Sequence, residues 1–198
     1  MSTPTLTAPP TAAPDRSREI DNRAGYLGFG FAHVAGHGAA ALSRGDDPLV
    51  VLPGWLPTAL LGLGLAAGTV FSTAAALRAQ RGVSGPDALP GQLVGLAWIS
   101  GFAALFLAIT GIGSTVDSPD LRSLLWPAGS GLVVGLLYLA EGAVRRNVVH
   151  YGLGTWLALV SSSALFLGTP GLFWVLAVAG GGGYAVATHL ERLRLAAG

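Results

Sequence analysis

Six stretches in which almost every position is apolar alternate along the chain with short polar breaks. They run over Tyr26–Ser43, Trp55–Leu77, Gln92–Ile112, Leu124–Val144, Val148–Leu167 and Leu172–His189. Each holds roughly 18 to 25 residues, the length at which an α-helix crosses a hydrocarbon core of about 30 Å. The breaks carry turn chemistry: Arg44-Gly-Asp-Asp-Pro48, Arg78 to Pro90, Gly113 to Ser123, Arg145-Arg146-Asn147 and Gly168-Thr-Pro-Gly171. Pro53-Gly-Trp-Leu-Pro57 opens the second stretch, with Trp55 placed for a membrane interface. The break after the fourth stretch is so short that helices four and five are expected to form an antiparallel hairpin, and Pro127 is expected in the first turn of helix four.

The pattern predicts an all-α membrane protein with six transmembrane helices over 20–194. A disordered, Pro-, Thr- and Ala-rich tail is expected over 1–19 and a short C-terminal tail over 195–198. Composition agrees, because only 11% of residues are charged while 52% are hydrophobic, against about 25% charged in an ordinary soluble domain. The net charge of +1 matters less than where the arginines lie. With six crossings, Arg16, Arg18, Arg23, Arg78, Arg81, Arg145, Arg146, Arg192 and Arg194 fall on one side and only Arg44 and Arg122 on the other. Positive charge accumulates on the cytoplasmic side, so both termini are expected there, in a plasma or inner membrane. Helices one to three and four to six show no internal repeat.

Chemistry is sparse. With no cysteine there is no disulfide and no thiolate. No basic patch with interleaved aromatics points to nucleic acid, and no paired carboxylates or Ser-His-Asp set points to hydrolysis, so neither an enzyme nor a cofactor is expected. The stretch that stands out is the first. On a 3.6-residue helix Phe29, His33, His37 and Ala41 form one stripe, and Gly28, Ala32, Gly36 and Ala40 form the next. Imidazoles at that depth belong in the protein interior or beside water, and His33 and His37 are read as pore-lining groups. Their i,i+4 spacing also suits a metal or haem, although no further ligand is evident. Elsewhere, Glu141 and Arg145 read as an ion pair one turn apart, while His150 and His189 at helix ends read as snorkelling to water. Ser161, Ser162 and Ser163 either line a polar path or bond carbonyls one turn back. Small residues at Gly64 and Gly68, and at Gly131 and Gly135, recur every four positions and suit helix packing in lipid.

The six-helix layout, the polar N-terminal tail and Asn22-Arg-Ala-Gly-Tyr-Leu-Gly-Phe-Gly30 resemble the acetate uptake transporters, also called acetate/succinate permeases. The chain keeps the Asn, the Ala and the Gly-Phe-Gly of that family's signature and lacks its two prolines. The resemblance implies a homohexamer in which each protomer passes a small monocarboxylate such as acetate. The pore would narrow at Phe29, at Ile99 or Trp98, and at Trp156 or Leu157. Acid-gated urea and amide channels share the same plan. Two other classes fit the sequence: a membrane protein whose glycine stripes serve assembly alone, and a redox protein with His33 and His37 as ligands.

Overall fold

The computed structural model describes residues 19–197, and most of the expected N-terminal tail lies outside them. The described residues form helices and no strand. The first rod is α1 (Arg23–Phe31), a π-helical turn (Ala32–His37) and α2 (Gly38–Ser43) in line. Next come α3 (Leu56–Ala79), a 3-10 turn (Gly85–Ala88) leading into α4 (Leu89–Thr115), and α5 (Pro119–Arg145). After α6 (Val148–Ala164), a second 3-10 turn (Leu165–Leu167) leads to the last rod. That rod comprises α7 (Gly168–Val175), a second π turn (Leu176–Gly180) and α8 (Gly181–Ala197). The end expected as a tail over 195–198 is therefore helical as far as Ala197.

Local chemistry sets these boundaries. Prolines sit in the first turns of α3, α4 and α5, where a missing N–H removes no helical bond. Ser118 Oγ accepts from the Leu121 N–H at 3.2 Å and Asn147 Oδ1 from the His150 N–H at 3.0 Å, so both helices start with a side-chain cap. Between α5 and α6 the chain reverses through Arg146, which adopts a left-handed conformation with φ 53°. The cap at Ser118 starts α5 earlier than hydropathy indicates. Pro127 consequently lies inside the helix, not in its first turn.

Four helical stretches are long and apolar enough to cross a membrane: Leu56–Ala79, Gly85–Thr115, Pro119–Arg145 and Val148–Ala197. The last spans 50 residues and holds the reversal at Thr169, where the backbone leaves the helical region. Apolar side chains face outward. In the most hydrophobic of the four, Gly85–Thr115, only 6% of the apolar window is buried, the inverse of a soluble helix.

Neighbouring rods run antiparallel in the order α3, first rod, last rod, α6, α5, α4. Glycine fixes the closest approaches. A Cβ on Gly64 would stand 2.5 Å from the Ala32 nitrogen, and one on Gly36 would stand 2.7 Å from the Leu61 Cα. Gly68 receives the Phe29 ring. On the other side of the bundle Gly135 and Gly154 bring the backbones of α5 and α6 together, and Gly131 makes room for Ser161. The four glycines expected to serve packing therefore all face a neighbouring helix.

The two ends of the described chain meet. Glu191, fully buried, accepts from the Asn22 side-chain amide at 3.0 Å and from Arg194 Nε at 2.8 Å. At the same end of the bundle Gln80, Asp87, Gln92 and Arg145 line a cleft of about 370 Å³. Substituting Gly64→Leu should prevent the first rod and α3 from closing and should abolish a monodisperse, folded peak in detergent, since overpacking costs about 1–3 kcal/mol or more. Gly62→Leu, where nothing lies within 4 Å, should leave elution and thermal stability unchanged.

Candidate functional site

The first rod is clasped between α3 and the last rod, and its π turn faces the π turn of the last rod. A π turn is an uncommon departure from the helix that is frequent at functional sites. Here it carries both imidazoles. His33 and His37 are 8% and 6% exposed, with ring centroids 5.2 Å apart in an edge-on arrangement. His33 Nδ1 lies 3.0 Å from the Phe29 carbonyl oxygen. A carbonyl only accepts, so the proton sits on Nδ1 and the lone pair on Nε2. The His33 ring fits over Gly180, where a Cβ would come within 2.6 Å of it.

From these two rings a line of buried aromatic and imidazole groups extends both ways. Toward the Arg44 end, His37 packs against Phe173 at 6.1 Å, and the Arg44 guanidinium lies 5.2 Å over that ring. Toward the other end, His33 meets Tyr184 at 5.0 Å, and Tyr184 lies 6.3 Å from Tyr26 and 6.5 Å from Tyr138. Tyr26 Oη is 2.6 Å from His150 Nδ1, and Tyr138 packs on the same imidazole at 4.2 Å. His150 Nε2 then faces Glu141 Oε2 at 3.6 Å, while Glu141 Oε1 accepts from Arg145 Nε at 2.8 Å. The polar groups thus run inside the bundle from Arg44 to Arg145, on four of its six rods.

The residues expected from the sequence divide. His33 and His37 do come together in the interior, but packed side chains surround them; the cleft beside Gln80 and Arg145 is lined by other residues. Phe29 is wedged between Gly68 and Tyr184, with ring centroids of Phe29 and Tyr184 5.9 Å apart. Ile99 is 70% exposed on the outer face of α4, away from the first rod. Trp156 is half exposed and donates from Nε1 to the Ala179 carbonyl at 2.8 Å, beside an apolar cleft of about 460 Å³ between α6 and the last rod. Phe29, Ile99 and Trp156 do not converge, since Ile99 faces outward from α4; the alternative positions Trp98 and Leu157 do meet Phe29, around the buried cluster of Tyr26, Tyr138 and Tyr184.

His150 corrects a second expectation. It is 5% exposed and bonded to Tyr26 instead of reaching water, because Asn147 starts α6 early enough to carry it under the first rod. His189 is exposed as expected. Glu141 and Arg145 form the expected pair, but the second carboxylate oxygen also faces His150. Ser162 and Ser163 bond carbonyls of their own helix, whereas Ser161 Oγ is buried without a partner. Tyr26, Tyr138 and Tyr184 escaped notice in the sequence. Their one trace is that Tyr138, Glu141 and Arg145 recur at steps of three and four on α5.

Among the described residues no group of three or more His, Asp or Glu stands where it would hold a metal ion. Comparison with protein families, with characterised proteins and with solved structures finds no match for this chain. Removing the phenol oxygen with Tyr26→Phe should leave His150 Nδ1 buried and unpaired, a cost of about 1–3 kcal/mol. Unfolding in a denaturing detergent titration should show that loss, while Tyr151→Phe, on an exposed side chain, should match the parent.

Proposed function

We propose that this is a six-crossing membrane protein with both termini in the cytoplasm, moving a small solute along the seam between the first and last rods. The observation that carries the reading is the buried line of imidazole and phenol groups inside a bundle whose outside is apolar. Polar side chains in hydrocarbon are costly, and a continuous set of them facing the interior is the usual mark of a path for an ion or solute. A solute that crosses as a neutral, hydrogen-bonding molecule suits such lining best, because rings that both donate and accept replace its water one contact at a time. A short-chain carboxylic acid in its protonated form meets that requirement, which supports the monocarboxylate class. The arginine-rich break and helix ends lie together at the Glu141 end of the bundle, in keeping with a cytoplasmic face there.

A second reading has one observation in its favour. The rods close on one another at Gly28, Gly36, Gly64 and Gly68 with backbone in contact, as in a protein whose business is assembly. Transport requires the two facing π turns to part.

Uptake of labelled acetate into liposomes carrying the purified protein separates the two. Uptake should exceed that of empty liposomes and should fall roughly tenfold or more in His33→Phe, while Ile99→Ala should match the parent. If acetate, succinate, lactate and urea all fail to enter, the transport reading is wrong. The assembly reading then stands.

A further inference from the structure

Among the described residues two buried side-chain atoms beyond the π turns lack a partner, Ser161 Oγ and His150 Nε2, and only the second belongs to an ionisable ring. His150 Nε2 is shut away from solvent without a hydrogen bond, and the nearest acceptor is Glu141 Oε2 at 3.6 Å. Its other nitrogen is engaged by Tyr26 Oη at 2.6 Å. Glu141 has one oxygen committed to Arg145 and the other open toward the imidazole.

We propose that Glu141, His150 and Tyr26 form a proton-binding site at the cytoplasmic end of the bundle. In the proton-free state Tyr26 donates to Nδ1 and the lone proton of the ring sits on Nε2, facing the carboxylate. On uptake Nδ1 gains a proton, the Tyr26 hydroxyl turns from donor to acceptor, and the imidazolium is held between two oxygens. The added positive charge is offset by Glu141, since an opposite charge within about 4–6 Å favours the charged form of a group. The Glu141 side chain keeps 15% of its surface exposed, and its partner Arg145 lines the cleft of about 370 Å³.

The groups that face the site come from every rod around it. Tyr26 is contributed by α1, and Tyr138, Glu141 and Arg145 by α5. Tyr184 belongs to α8, with Glu191 two turns further along, already satisfied by Asn22 and Arg194. Asn147 is used by the backbone of His150 itself. Among these, Glu141 alone presents an unused carboxylate oxygen to the ring. Because Tyr26 is on the first rod and His150 on α6, loading the site changes the bond that joins those rods. The site goes beyond solute movement and stands whether or not a solute crosses.

The test is nitrogen NMR of the full chain, labelled with ¹⁵N-histidine, in lipid nanodiscs between about pH 8 and about pH 5. With 4 histidines in the chain, His150→Gln assigns the signal by its disappearance. The His150 nitrogens should pass from the one-proton to the two-proton pattern across that range, and Glu141→Gln should abolish the change while leaving the signal folded and dispersed. Tyr26→Phe, which removes the oxygen facing Nδ1, should displace the change along the pH axis without abolishing it. A His150 signal that stays neutral throughout, or one that titrates identically in Glu141→Gln, overturns the proposal. Neither result bears on acetate uptake.

Discussion

Backbone-to-backbone contact along the first rod is the constraint on which the remainder of the fold rests. A bilayer offers no water to a buried imidazole or phenol, so any such group must find its partners inside the protein. The chain places two imidazoles and a phenol on one helix, and the neighbours must approach closely enough to cover them. Gly64 and Gly68 let α3 lie against one side of that helix, and Gly180 admits the His33 ring from the other. With side chains at those positions the rings would be left facing hydrocarbon.

That requirement explains the asymmetry between the two halves of the bundle. The first and last rods hold His33, His37, Glu191 and both π turns, and α6 with its cap holds Asn147, His150 and Ser161, whereas α4 is almost wholly outward-facing. The α5–α6 hairpin connects the halves: it is closed by Gly135 and Gly154 and delivers Tyr138, Glu141 and His150 to the Arg145 end of the polar line. Structure and chemistry therefore share residues. The same small side chains that allow close packing define where the polar line can run.

Most of the helical plan was legible in the sequence, because stretches of apolar residues bounded by Pro, Gly and Asp breaks signal helix and reversal locally. The α5–α6 reversal was read in this way from Arg145-Arg146-Asn147, and the four-residue recurrence of small residues pointed to Gly64 and Gly135, which face neighbouring helices. The helix starts at Pro119 and Leu89 were missed by several residues, since a capped polar first turn lies outside any hydrophobic window. Of the site, the His33 and His37 pair was visible as a local stripe. Tyr26 and His150 were not, because they meet across 124 positions and neither sits in a motif. The convergence of Phe29, Ile99 and Trp156 came from a resemblance of layout, and layout does not determine which helix faces which neighbour.

The most direct measurement is the environment of α4 in a bilayer. A spin label on Ile99→Cys, in a chain with no other cysteine, reports by power saturation whether it meets dissolved oxygen in lipid or a nickel chelate in water. High access to oxygen with none to the chelate is the predicted result, with α4 on the lipid-facing wall and the polar line enclosed by the first and last rods. Free access to the chelate would put Ile99 in an aqueous bore and contradict the arrangement of the polar line described above.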